Sequence, residues 1–480
     1  MADEPQLIRG FDWKNTFPFT LIFKSFRVAI HPSKLVLALM ALLLLYFGGR
    51  LMDLLWLDRY KPSGVTEIVN VPGPLLVDIA SDLPPGERPG IFITFFQYEV
   101  AQVNATFAYL LQLDLHGAFN AIWGFLAVGP AWLFTNHWFF ALLFTIWFLL
   151  IWSIFGGAIA RIAAVHVARD EKISLRQALR FSVAKFLSFL SAPIIPLLIV
   201  LVIGVALAIG GLLFYIPWIG PIVGSILFFL ALIAGFVATL VLLGTIGGFN
   251  MMYPTVAVEG SDSFDAISRS FSYVFARPWR MLWYTLVALI YGAITYLFVR
   301  FFIFIVLAVT HGFVTWWLRR TTAARFEQMW PAPDWRSLPY LVGYDALPWD
   351  WSFAGGMTAL WVYLVIGLLG AYAISFYFSA NTIIYYLMRN EVDATELDDV
   401  YLEQSEDDFS DTTSSVVTPA SATAASTTPP SPPMSADPTA NPPVATDLGT
   451  EPRPAGEPLT PPLGSEAPEV GNPPERRPER

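Results

Sequence analysis

The sequence predicts an all-α integral membrane protein with about six transmembrane helices, amphipathic interfacial elbow helices beside them, and a disordered C-terminal tail. Three observations carry this. Hydrophobic residues make up 55% of the 480-residue chain and charged residues only 14%, where a soluble protein carries about a quarter. Six apolar runs are each long enough to cross about 30 Å of hydrocarbon as a helix. Charge and proline are segregated: residues 391–480 hold 18 acids against 4 bases, and 17 of the 37 prolines fall in 404–480. The body, residues 1–390, has 24 bases against 20 acids, which suits contact with anionic headgroups.

In chain order, residues 1–34 form an N-terminal segment with an amphipathic helix. The transmembrane domain, 35–390, has its expected spans at about 35–57, 138–160, 193–214, 221–249, 279–309 and 356–388. Pro217 and Gly220 turn the third span into the fourth as a hairpin. Residues 58–137 and 310–354 are the outer segments, together a small cap. Within the first, IFITFFQYEVAQVNATFAYLLQ reads as an amphipathic helix, with Glu99 a solvated or paired acid. AFNAIWGFLAVGPAWLF, 118–134, is apolar but short and broken by Gly129-Pro130, and reads as interfacial or re-entrant. An even number of spans puts both termini on one side. Lys and Arg crowd that side, including Lys24, Arg27, Lys34, Arg161, Arg169, Lys172 and Arg389, so the positive-inside rule makes it the cytoplasmic face of a bacterial inner membrane. The segment 391–480 is an acidic, then Pro/Ala/Ser/Thr-rich tail that buries too little apolar surface to offset the entropy of ordering.

Three passages share one plan: an amphipathic run, a proline corner, then a span. They are 17–40 with His31-Pro32, 173–200 with Ala192-Pro193, and 263–287 with Arg277-Pro278. In the third, Phe264, Ile267, Phe271, Val274 and Phe275 share a helical face, and Asp265 precedes Arg269 by four residues in the favourable order. Proline is tolerated in the first turn of a helix and disfavours helix in the residue before it. A helix greasy on one face and charged on the other, beside a span, belongs in the headgroup layer. Arg176, Arg180, Arg269, Arg277 and Arg280 are the candidate contacts to lipid phosphates. NEVDATELDDVYLEQ, 390–404, resembles a truncated fourth copy, with Asp393 and Glu396 as a capping box.

GGAIARIAAVHVARDEKISLRQALRFS and YPTVAVEGSDSFDAISRSFSYVFARPWR resemble uncharacterised bacterial multi-pass membrane proteins related to the membrane domain of glycerophosphoryl diester phosphodiesterases. The resemblance covers roughly 138–390. It implies a membrane scaffold and transfers no catalytic residue, because the soluble catalytic domain of that group has no counterpart in the sequence.

Cysteine is absent, which removes thiolate metal sites and cysteine nucleophiles. The five histidines are scattered, and neither a P-loop nor G-x-S-x-G nor H-E-x-x-H occurs. No cofactor and no nucleic acid partner is expected. Arg50 and Asp53, three apart near the outer end of the first span, read as a locally paired intramembrane couple. The expected function is a non-enzymatic scaffold or accessory membrane factor that meets the bilayer through its elbows and a protein partner through 404–480. The alternative is a transporter or channel for a neutral or lipid-like substrate.

Overall fold

A computed structural model describes residues 17–56, 90–335, 338–339 and 347–401, and every regular element among them is helical. A 3-10 stretch, Pro18–Phe23, leads into α1 (Lys24–Ala29) and α2 (Pro32–Trp56). Helix α3 (Ile91–Leu111) turns back into α4 (Leu115–Trp123), which a π-helical turn, Gly124–Val128, joins to α5 (Gly129–Asn136). A second π turn, Trp152–Gly156, joins α6 (Trp138–Ile151) to α7 (Gly157–Arg169). Then come α8 (Leu175–Ala184), α9 (Phe186–Gly211), α10 (Ile219–Glu259), α11 (Ser263–Ala276), α12 (Pro278–Thr315), α13 (Arg320–Met329) and α14 (Trp349–Asp393).

Among the described residues, seven helical runs are long and apolar enough to cross a membrane. Six are the expected spans, mostly lengthened. The seventh is Leu115–Asn136, the segment expected to be interfacial. Gly129-Pro130 does not interrupt it: the π turn Gly124–Val128 runs directly into α5, the kind of local adjustment by which a long apolar helix accommodates a residue that cannot donate.

Packing decides what this seventh run does. One end of the bundle, termed basal here, gathers the start of α2, the ends of α7, α10 and α14, and the start of α12. Arg27 pairs with Asp170, Arg389 with Glu259, and Arg280 with Glu391. Helix α2 therefore ends at the opposite, distal end, and α6 starts there. Helix α3 docks on the distal parts of α2 and α12: its Phe92 N–H donates to Asp53, about 32 Å along α2, and its Asn104 accepts from Arg300, about 33 Å along α12. Helices α4 and α5 lie antiparallel along α3, with Gly117 on Tyr109, Gly124 on Gln102 and Gly129 on Glu99. The apolar run 115–136 therefore packs on α3 in a distal layer.

The main core lies basally. Ala158, Ile159, Ala160, Ala163 and Ala164 of α7, Met251–Val258 of α10 and Ser379–Arg389 of α14 are buried nearly all round. Small residues bring backbones close, as membrane helix contacts require. The distal parts of α9 and α10 contrast with this. They pack on each other, and most of their large apolar side chains from Leu197 to Leu243 face outward, as lipid-facing helices do. At their hairpin Gly220 is required, since a Cβ there would lie 2.0 Å from the Leu213 carbonyl oxygen.

Several expectations are corrected. The second corner is not Ala192-Pro193: α9 runs straight through Pro193 and Pro196, and the break falls at Lys185. The face of α11 that enters the protein is Ser263, Ala266, Ser270 and Tyr273. Its phenylalanine side is split: Phe271 packs against Gly244 while Phe264 is 69% exposed. In a bilayer the interior gains by close backbone approach, so small residues turn inward and large apolar ones can face lipid. The fourth copy at 390–404 does not form. Residues 390–393 finish α14, and Ala394 caps it in the left-handed region at φ 53°. The tail boundary at 391 is likewise too early, because 394–401 lie on the bundle, with Val400 buried. The rest of the expected tail, 402–480, lies outside the described residues, as do 1–16 and 57–89.

Candidate functional site: buried charge at the basal end

The basal end holds two constellations of charge. The first centres on Arg389, near the end of α14. It lies 2.9 Å from Glu259, the last residue of α10, with side chains only 7% and 17% exposed. The Arg389 N–H nearest this carboxylate is not aimed at it, so the contact is an ion pair rather than a hydrogen bond. Arg389 also donates to the Asp399 carboxylate at 2.5 Å and carbonyl at 2.8 Å, while Tyr385 donates to Glu259 at 2.8 Å. Arg161 of α7 reaches the same place. It donates to the carbonyls of Ala257 at 2.8 Å and Tyr401 at 2.6 Å and stacks on Phe181 at 4.3 Å. Tyr401 N–H donates to the Val258 carbonyl at 2.8 Å. Its ring covers Gly260, which caps α10 at φ 63°, where a Cβ would lie 2.5 Å from it. Residues 394–401 are thus strapped across the basal end by groups from three helices.

Helix α11 adds two further ties to the end of α14. Arg269 pairs with Asp265 at 2.9 Å and lies 3.9 Å from Asp393, to which Tyr273 donates a short hydrogen bond. Burial opposes the Arg269 charge, but the Asp265 hydrogen bond and the Glu259 and Asp265 charges outweigh it and hold the guanidinium above its ordinary range. Arg280 pairs with Glu391 at 2.6 Å, and Tyr284 also donates to that carboxylate. Two of the five candidate headgroup contacts, Arg269 and Arg280, are therefore engaged by protein acids. Arg176, Arg180 and Arg277 are exposed and form no ion pair with the described residues.

The second constellation surrounds Lys34, which is 0% exposed and donates to Ser379 at 3.1 Å. The rings of His31 and His166 meet edge to face at 5.9 Å, and His166 lies 3.4 Å from Asp170. Ser25 Oγ and the Nδ1 atoms of both histidines are buried without hydrogen-bond partners. Burial first, then the Lys34 and Lys172 charges, push the His31 imidazole below its ordinary range. A cavity of about 250 Å³ opens between α7 and α8, with Arg161, Phe181, Lys172 and Gln177 in its wall. Among the described residues no group of three His, Asp or Glu side chains is placed to hold a metal ion.

The Arg50–Asp53 couple is only partly as expected. The two are 3.8 Å apart, with Arg50 half-exposed and Asp53 buried. The stronger partners of Asp53 are the N–H groups of Phe92 at 2.7 Å and Ile93 at 3.1 Å, so it caps a helix 39 residues away. A carboxylate suits a helix N-terminus through both hydrogen bonds and the dipole. Glu99 is neither solvated nor paired, since both its oxygens are buried without partners.

No family model, no curated protein and no solved structure matches the chain. Sequence reasoning passed over Lys34, Arg161, Glu259 and Arg389, counting the cations as surface charge. A usable signal was the composition around Arg161: GGAIARIAAVHVA offers small residues on every face, which marks a helix enclosed by others.

Proposed function

We propose that this protein is a non-enzymatic scaffold or accessory factor of a bacterial inner membrane, with the basal end and both termini in the cytoplasm. The observation that carries the reading is the strap. Arg161 and Arg389 fix residues 394–401 to the bundle, and Tyr401, next to the proposed partner-binding tail, is held against α10. The buried charges join helices to one another, which is the work of a platform rather than of a reaction centre. The amphipathic helices α1, α8 and α11 lie at the headgroup layer in this reading, with Arg176, Arg180 and Arg277 on lipid phosphates. A scaffold of this kind agrees with the resemblance to the phosphodiesterase membrane-domain group.

A partner captured by the full chain and lost on deletion of 404–480 is the expected outcome of a pull-down. Equal capture by both forms would count against a tail-borne partner. Purified protein in liposomes should give background solute flux; substrate-dependent flux would favour the transporter reading instead.

Orientation has a separate test, eased by the absence of native cysteine. Ser272→Cys and Glu396→Cys should resist an impermeant thiol reagent in intact cells, while Ala332→Cys reacts. The reverse pattern would invert the topology.

A further inference from the structure

We propose that Glu99 is a proton-binding site of the distal layer, and that the bound proton holds α3 closed against α5. The geometry is specific. Both Glu99 oxygens are buried with no hydrogen-bond partner, and so are Tyr98 Oη and Trp132 Nε1 beside them. The facing segment is built to admit the carboxyl. A Cβ at Gly129 would lie 2.0 Å from Glu99 Oε1, and one at Gly124 would lie 2.9 Å from the Gln102 amide and 3.1 Å from Tyr98 Oη. These two glycines flank the π-helical turn Gly124–Val128, a distortion that recurs at functional sites in helices.

Among the described residues no cation answers the carboxyl. The elements packed on α3 bring Tyr46, Arg50 and Asp53 from α2, His116 from α4, His137 at the start of α6, and Tyr296 and Arg300 from α12; the π turn and α5 bring no charged group. Arg50 lies beside Asp53, His116 lies beside Asn120, and Arg300 donates to Asn104 and the Trp335 carbonyl. The titratable neighbour of Glu99 is Tyr98 on its own helix, which Gln102 approaches without a well-formed hydrogen bond. A carboxylate here would be a desolvated, uncompensated charge, so the neutral acid is the form that packs. Burial accordingly pushes Glu99 up to about 8.

The sign follows. In an opened hairpin the carboxyl meets water and ionises near its ordinary value of about 4.3. Below that pH both states hold the proton and closure is independent of pH. Between about 4.3 and 8 only the closed state holds it, so the open fraction grows by up to about tenfold per pH unit and levels off above 8. The antiparallel layout of α3 and α5 makes the opening measurable.

Gln97→Cys and Ala131→Cys, spin-labelled as a pair in the otherwise cysteine-free full chain in nanodiscs, would report the α3–α5 distance by pulsed electron resonance from pH 5 to 9. The expected result is a longer-distance population that rises with pH. Adding Glu99→Gln, neutral at every pH and nearly isosteric, should abolish the rise and leave the short distance. An unchanged distribution across the range overturns the proposal. So does the same rise in the Glu99→Gln protein, which would assign the titration to another group. Closure by added sodium at pH 9 would identify a metal cation as the ligand and overturn the proton assignment.

Discussion

Replacing Arg389 with leucine should cost about 3–5 kcal/mol of stability, because it strands Glu259 as a buried charge without its partner. Glu259 would retain the Tyr385 hydroxyl and the more distant Arg269 charge, and the Asp399 end of the strap would lose both of its bonds to α14. Reversible unfolding of the purified protein in mixed micelles measures the loss. Limited proteolysis should also cut within 394–401 sooner than in the wild type. Joint replacement with Glu259→Leu should recover part of the loss, since two apolar residues need no pairing. If Arg389→Leu unfolds at the wild-type midpoint and the strap stays protected, the buried pair is not what holds the basal end.

Asp53→Leu should be the most damaging change at the distal end. It removes the acceptor of two buried backbone N–H groups, each costing about 1–3 kcal/mol when left unmet. The consequence is local: α3 loses its anchor on α2, and hydrogen exchange at Phe92 and Ile93 should accelerate while the basal core stays protected. Asp53→Asn keeps one acceptor oxygen and should lose less. Arg50→Gln should be nearly silent, because a half-exposed partner at 3.8 Å contributes little. A larger effect from Arg50→Gln than from Asp53→Leu would restore the local ion pair as the role of Asp53. Gly90 belongs to the same anchor. A Cβ there would lie 2.2 Å from the Asp53 carboxyl carbon, so alanine at 90 should resemble Asp53→Leu in its exchange pattern.

The sequence by itself determined the helical membrane class and the places of the long apolar runs. A long uninterrupted apolar run has one environment that satisfies both its side chains and its backbone, so its location needs no partner. Pro32 and Pro278 start helices for an equally local reason, the fixed φ and the missing N–H. Only tertiary structure decided which charges are buried. Lys34 and Arg161 look like positive-inside cations in the chain, and their burial depends on α14 and α10 arriving beside them. What 115–136 packs on was also beyond its own composition. It lies along α3, which docks through Asp53 and Arg300. The strap shows the same limit most plainly. Residues 394–401 are polar and carry no periodic signal, yet Tyr401 is held by Arg161, 240 residues earlier, and by the Val258 carbonyl. Backbone hydrogen bonds to distant helices leave no mark on the residues that make them, because every residue type offers the same carbonyl and nearly every one the same N–H.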